Sequence, residues 1–406
     1  MQKNIPKLRF SEFKDEWGEK RLSDVADFLK GSGISKQDIL SNGIEKCIRY
    51  GELYTSYSEV INKVISFTNQ SKEKSLLSKK GDILVPSSGE TPIDIATVSS
   101  IQLNDVLLGG DLNVIRLKNN NGIFFAYYLR NYKKINIARL SQGHSVVHLY
   151  NSHLKTLRIK LPSLKEQQKI ALFLTNVDNW IENLKKQKEN LDKYKKGLMQ
   201  KIFSQEIRFK EKNGKDFPNW EVKKLHNMLS MVIDNRGKTP PIASSGISLI
   251  EVNALGGKEI NYSKVAKFVI EETYKNWFRK HLQKNDVLFS TVGATALCAM
   301  YTHDRVAVVA QNIVGLRFEN ENPHFMYYLL TESKNNHKFK RIQMGAVQPS
   351  VKVSQMVKIS FEVPSLHEEN KIADFLTSVD KVIESKQQQI TLAENWKKGL
   401  MQKMFI

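Results

Sequence analysis

The side chains best placed to do chemistry in this 406-residue chain are hydrogen-bonding forks on polar loops. Two such loops stand at equivalent places in the two halves of the chain. Arg139, Gln142, His144 and His148 surround Gly143, and Arg341, Gln343 and Gln348 surround Gly345. A guanidinium forks onto the O6/N7 edge of guanine and a carboxamide onto the N6/N7 edge of adenine, so these residue types suit contact with base edges. Loops further upstream add Lys30, Ser32, Lys36, Ser87 and Ser88 in the first half, and Asn235, Arg236, Lys238, Ser290 and Thr291 in the second. Their cations suit phosphate oxygens and their hydroxyls suit either target. Each of them, taken singly, is equally well explained as a loop side chain facing water.

Catalytic sets are missing. No Gly-x4-Gly-Lys-Ser/Thr cradle for a nucleotide is present, and no Gly-x-Gly-x-x-Gly follows a strand. Thr239-Pro240-Pro241 has neither the acid nor the aromatic of an amino-methyltransferase Asp-Pro-Pro-Tyr site and reads as a turn. His144, His148 and His153 are near one another, but on a loop or strand that spacing makes no ligand set. Asp216 with Glu221 has no counterpart in the first half that would make a nuclease pair. The two cysteines, Cys47 and Cys298, form neither a metal motif nor a disulfide framework, as expected for a reducing cytoplasm. No run of eighteen apolar residues occurs, and Met1-Gln2-Lys3-Asn4-Ile5-Pro6 lacks the apolar region of a secretory signal. The net charge of +20 and a pI near 9.6 point to a polyanionic partner, most simply nucleic acid. A lysine-rich genome composition is the other source of such a charge.

The elements that must carry these loops come as a duplication. Leu161-Pro162-Ser163-Leu164 opens a segment closing on Lys195-Lys196-Gly197-Leu198-Met199-Gln200-Lys201, and Val363-Pro364-Ser365-Leu366 opens one closing on Lys397-Lys398-Gly399-Leu400-Met401-Gln402-Lys403. Both ends are offset by 202 residues (364 − 162 and 397 − 195), so no insertion separates the copies. Within them, apolar positions alternate in steps of four and three: Ile170, Leu174, Val177, Ile181, Leu184, and Ile372, Leu376, Val379, Ile383. That is a heptad seam, and it predicts two helices of about 36 residues, roughly 55 Å long. Two arrangements fit: separate arms that each pair with another molecule, or two helices packed on each other within the chain. The gap-free offset makes an antiparallel intramolecular pair the economical one. Lys188, Lys195, Lys386 and Lys397 fall on the seam, where basic residues cost stability but can fix register. Trp180 and Trp396 fall beside it, either as anchors for a partner or as internal packing.

Each half opens on a short arm and a tryptophan: Leu8-Arg9-Phe10 with Trp17, and Ile207-Arg208-Phe209 with Trp220. Short strand-like runs follow, such as Asp82-Ile83-Leu84-Val85 and Asp286-Val287-Leu288-Phe289, punctuated by Gly, Ser and Asn. Phe125–Leu129 and Phe325–Leu329 match as helices. The bodies read as α+β, two copies of one scaffold carrying different loops.

The repeated Pro-Ser-Leu-x-Glu-x-x-Lys-Ile-Ala segments, from Pro162 to Ala171 and from Pro364 to Ala373, each closing a variable half, resemble the specificity subunit of type I restriction–modification systems. The resemblance spans nearly the whole chain. It departs at one place, where Gln167 of the first copy is matched by Glu369 in the second. It implies two pseudo-symmetric mixed α/β target-recognition domains, at 1–160 with the N-terminal arm and at 207–361. Two long antiparallel helices, an intramolecular coiled coil, occupy 161–206 and 362–406. It implies no catalysis in this chain: each domain reads one half of an interrupted DNA site. Two modification subunits methylate adenine N6 with S-adenosylmethionine, and two restriction subunits use ATP and Mg2+. The alternatives are a specificity subunit of another methylation-based defence system and a coiled-coil adaptor that binds DNA. Lengthening or shortening the helix at 165–203 should change the number of base pairs between the half-sites and leave the bases read intact. Target mapping with length variants checks this; an unchanged gap with altered bases would contradict it.

Overall fold

The computed structural model describes residues 4–143, 145–235, 239–302, 305–345 and 347–406. The chain forms two compact units, Met1–Lys185 with Gln388–Ile406, and Lys186–Gln387. The division does not follow the helix ends expected from the sequence. Each unit takes a body and half of each long helix, because the apolar stripe of each half-helix is buried in the core of that body.

In the first unit the central sheet has β1 (Ala26–Lys30), β2 (Val60–Ile61), β3 (Ile83–Pro86), β4 (Ser99–Ile101) and β5 (Leu112–Leu117), in the order β1-β5-β3-β4-β2. Strands β1, β5 and β3 are antiparallel neighbours, so the C-terminal ends of β1 and β3 and the start of β5 lie at one sheet end. β3 and the start of β5 are buried, which explains their near-continuous apolar runs. Gly18–Arg21 pairs antiparallel with Arg158–Leu161, the strand that leads into Pro162. In the second unit β6 (Leu229–Ile233), β7 (Val287–Ser290), β8 (Cys298–Met300) and β9 (Ile313–Phe318) repeat this order as β6-β9-β7-β8. Glu221–Lys224 pairs with Ser360–Val363 ahead of Pro364. Arg116 grips buried Asp82 through Nε (2.9 Å) and a terminal nitrogen (2.7 Å), and Arg317 grips Asp286 in the same way (2.9 and 2.8 Å).

The long helices span Leu164–Phe203 and Leu366–Met404. In the first unit Leu174, Val177, Ile181 and Leu184 share a buried core with Ile390, Ala393 and Leu400. The pairs Asp178–Lys397 (2.6 Å) and Lys185–Glu394 (2.6 Å) show that the two helices run antiparallel there. In the second unit Ile202 joins Ile372, Ala373 and Leu376, and Lys195 meets Asp380 at 2.5 Å. The seam is therefore intramolecular. Two of its lysines, Lys195 and Lys397, bond aspartates of the opposite helix, which pins the register. Lys188 instead pairs with Asp192 on its own helix at 2.9 Å.

Each body joins this ion pair through a tyrosine. Tyr127 Oη donates to Asp178 at 2.5 Å, and Tyr328 Oη donates to Asp380 at 2.5 Å. The two helices that carry them begin at asparagine caps, Asn121 (to Phe124 N–H, 2.9 Å) and Asn322 (to Phe325 N–H, 3.1 Å). This corrects the sequence pairing of Phe125–Leu129 with Phe325–Leu329 by one residue: Phe124 and Phe325 are the equivalents. Phe124 meets Trp17 edge-on at 5.9 Å and Phe325 meets Trp220 at 6.3 Å. The same tryptophans donate to the repeated glutamates, Trp17 to Glu166 (3.3 Å) and Trp220 to Glu368 (3.2 Å). Arg9 and Arg208 of the arms fork onto those carboxylates, with closest contacts of 2.8 and 2.7 Å.

The helix starts differ at one residue. Gln167 accepts the Asn121 N–H (3.0 Å) and donates to the Asn120 side chain (2.9 Å) and the Pro162 carbonyl (3.1 Å). Glu369 accepts the Asn322 N–H at 2.7 Å but, ionised, has no proton to donate. Burial pushes its pKa up to about 7, Glu321 pushing the same way and the Asn322 N–H and Lys223 opposing. The folded value lies above the ordinary 4.5, so the ionised form is penalised in the fold, and stability is lost as pH rises from about 4.5 to 7.

Two predictions follow from these contacts. Asp380→Ala strands Lys195, Lys258 and Tyr328, and should cost the second unit about 3 kcal/mol. Asp178→Ala should cost less, about 1–2 kcal/mol, because its carboxylate is more exposed. Urea unfolding of the full chain checks this; equal costs would contradict it. Glu369→Gln should stabilise the chain by about 2 kcal/mol at pH 8 and hardly at pH 4.5. Melting curves at the two pH values decide, and a gain independent of pH would refute it.

Candidate nucleic-acid interface

The loops with base-reading chemistry collect at the same sheet end in both bodies, by topology. In the first unit Lys30 ends β1, opposite Asn113, and Ser87 and Ser88 leave the end of β3. The Ser87 carbonyl accepts from Leu149 N–H (3.0 Å), and Ser88 pairs with His148. Gln142 and His148 exchange both backbone hydrogen bonds, at 2.9 and 2.7 Å, and so close a hairpin tip. Ser88, Gln142 and His148 are thus brought together, and Lys30 ends a strand two places away at the same end of the sheet. The second unit repeats the plan: Thr291 N–H donates to Asn312 O (2.8 Å), its carbonyl accepts from Val351 N–H (2.7 Å), and Met344 and Ser350 close the matching tip (2.8 Å each way).

Glycine is required at both tips. Gly143 has φ +118°, and a Cβ there would sit 2.1 Å from the Val146 carbonyl oxygen; Gly345 has φ +89° and the same conflict with Gln348 at 2.7 Å. Gln142, His148 and Gln348 are exposed, Gln343 is half-buried, and Arg139 and Arg341 are exposed at the ends of short helices leading to the tips. Lys36 is exposed on the loop after β1.

Other expected readers are placed differently. Ser290 is fully buried, its hydroxyl donating to Ala294 O (2.6 Å) and accepting from Leu297 N–H (2.8 Å), so it shapes a turn. Ser87, Asn235 and Thr291 are also buried. The Ser32 hydroxyl accepts from Leu76 N–H at 3.3 Å. His144, Arg236 and Lys238 lie outside the described residues. A short hydroxyl or amide directly after a strand continues the buried ladder, and residue type alone does not reveal that.

Two features were not singled out in the sequence. Tyr150 is exposed and stacks on His148 (6.2 Å, 22° between rings), while His153 meets it edge-on at 5.5 Å. The helix Ser333–Arg341 gathers Lys334, His337, Lys338, Lys340 and Arg341; its signal was the basic run itself. Lys338 is held below the ordinary lysine range by burial, and its Nζ donates to Ser360 O at 3.0 Å, so it acts in the fold. Trp180 and Trp396 meet edge-on at 6.2 Å, each still about half exposed (47% and 49%), with Phe173 beside Trp396 at 6.3 Å. They pack on each other and also present an aromatic surface.

Among the described residues no group of three His, Cys, Asp or Glu could hold a metal ion, and no helix is long and apolar enough to cross a membrane. The arrangement can offer basic and amide side chains to a polyanion along one end of each sheet.

A family model described as the type I restriction modification DNA specificity domain matches the chain twice, over residues 14–193 and 218–395. The chain is 23% identical to the Type I restriction enzyme MjaVIII specificity subunit of Methanocaldococcus jannaschii over 417 residues, covering 98% of this chain and 94% of that protein. Its fold is similar to that of the S subunit of a type I restriction–modification system from M. genitalium, with a TM-score of 0.59 at 16% identity over 99% of both chains. A chain from a structure addressing assembly and conformational transition of the type I system gives 0.60 at 15% identity, over 96% of this chain and 97% of that one.

Proposed function

The chain belongs to the specificity subunits of type I restriction–modification systems, and on that premise we propose that each of its units reads one half of an interrupted DNA site. The observation that carries this is the common plan of the two bodies: tips closed at Gly143 and Gly345, standing on the same sheet end, with different side chains on each. Different readers imply different half-sites, so the target is asymmetric. Lysines and arginines supply salt-dependent affinity through phosphates, and Arg139, Gln142, His148, Arg341, Gln343 and Gln348 supply sequence discrimination. Lys30, Lys36 and Ser88 stand beside them. Ser87, Asn235, Ser290 and Thr291 act through the backbone positions they fix.

The chain performs no chemistry in this proposal. Methylation of adenine N6 inside a duplex requires the base to leave the stack, and the receiving pocket belongs to a modification subunit that binds S-adenosylmethionine. ATP and Mg2+ belong to the restriction subunits. The half-exposed Trp180–Trp396 pair supports docking of the modification subunits on the helices, whose length sets the gap between half-sites. Two modification and two restriction subunits complete the assembly.

Arg341→Ala should weaken binding to the specific duplex by about 1–3 kcal/mol and relax selectivity at one base pair, if its guanidinium forks onto a guanine. A gel shift on specific and random duplexes at two salt concentrations checks this. Equal losses on both duplexes would make Arg341 a phosphate contact, and no loss on either would remove it from the interface.

A further inference from the structure

The hairpin tip of the second unit is held by backbone bonds on both sides. Met344 and Ser350 close it (2.8 Å each way), Val351 N–H donates to Thr291 O (2.7 Å), and Gly293 N–H donates to Pro349 O (2.9 Å). Between these anchors stands Val347. It is 100% exposed, more than any other large apolar residue among the described residues. Met344, 46% exposed, adds a second apolar side chain at the foot of the tip.

The surroundings of this valine are basic. From Ser333 to Lys358 the chain carries six lysines and arginines and no Asp or Glu. Lys340 and Arg341 before the tip and Lys352 after it are exposed, as is Gln348 next to Val347. Such a segment attracts a polyanion, and an apolar side chain on it meets whatever apolar group the polyanion offers. In the major groove of DNA that group is the C5-methyl of thymine. Hydrogen bonding alone marks thymine weakly there, because its only polar group in the groove is the O4 acceptor. Valine is stiff at χ1, and the tip backbone is already fixed, so little ordering is left to oppose such a contact.

The first unit differs at this place. Its tip closes between Gln142 and His148, each 202 residues before Met344 and Ser350, so Ser145 stands where Val347 does. Its own exposed valine, Val146, stands at the place of Gln348. We infer that Val347 determines specificity in the second unit by reading a thymine through its C5-methyl group. This rests on the DNA-reading proposal above and adds to it one base and the group by which that base is read.

The test uses the full chain with its modification subunits and a duplex carrying the motif mapped by adenine methylation. Each thymine is replaced singly by deoxyuridine, which pairs identically and lacks only the methyl. One such replacement should weaken binding of the wild-type chain about fourfold, the effect of one buried methyl group. Val347→Ala should bind the thymine duplex about fourfold more weakly and no longer distinguish it from that uracil duplex. Val347→Ile should keep the distinction. The side chain is fully exposed, so neither variant disturbs folding. A motif in which no uracil weakens binding would overturn the inference. So would a Val347→Ala chain that loses equally on both duplexes and keeps its preference for thymine, which would mark the valine as a wedge between base steps. Both outcomes leave the DNA-reading proposal standing. A wild-type chain that binds motif and scrambled duplexes alike would overturn that proposal and this inference with it.

Discussion

The register of each unit depends on a tyrosine–aspartate–lysine contact, buried in the second unit and part-exposed at Asp178 in the first. A body tyrosine, an aspartate of one long helix and a lysine of the other meet at 2.5–2.6 Å: Tyr127, Asp178 and Lys397 in the first unit, Tyr328, Asp380 and Lys195 in the second. Hydrophobic packing is nearly indifferent to a heptad slip, because one apolar row replaces another. A charge pair inside that row is not, since a slip leaves a buried charge without its partner. The contact therefore fixes helix register and body position together. The tyrosines are raised above their ordinary pKa by burial and the adjacent aspartates, so they remain hydrogen-bond donors.

The two units solve the electrostatics around this contact differently. The first adds Glu59, whose carboxylate burial would push up but which Lys397 and Arg130 hold below the usual range. The second adds Lys258, held below the ordinary lysine range by burial, with Asp380 (3.3 Å) opposing. Glu59 O accepts from Ser100 N–H (2.8 Å) and Lys258 O from Met300 N–H (2.6 Å), so one backbone position carries opposite charges in the two bodies while the helix residues stay the same. The scaffold keeps what the helices require and leaves the rest of each body free to diverge.

The repeat, the helices, their antiparallel pairing and the α+β bodies were legible in the sequence, because periodicity and a constant offset survive without side-chain detail. The one-residue shift between Phe124 and Phe325 was not, because adjacent aromatic runs match almost as well in either register; only the asparagine caps and the tryptophan contacts resolve it. The lysines on the seam were visible as an anomaly, and their aspartate partners were visible in the Val-Asp pairs at 177–178 and 379–380, but the pairing needs the antiparallel geometry. Arg139, Gln142, His148, Arg341 and Gln348 lie on exposed loops or helix ends, as their polar neighbours in the sequence imply. Residue type misassigned the depth of Ser87, Asn235, Ser290 and Thr291, because a polar residue at a strand end can turn into the ladder as readily as out to a ligand.

The central claim is that two different bodies on one repeated scaffold read two different half-sites. The most direct measurement is genome-wide adenine methylation in cells with and without this chain. The account predicts an interrupted, asymmetric motif that is methylated only when the chain is present. A motif that persists without the chain, or one that is continuous or symmetric, would contradict it.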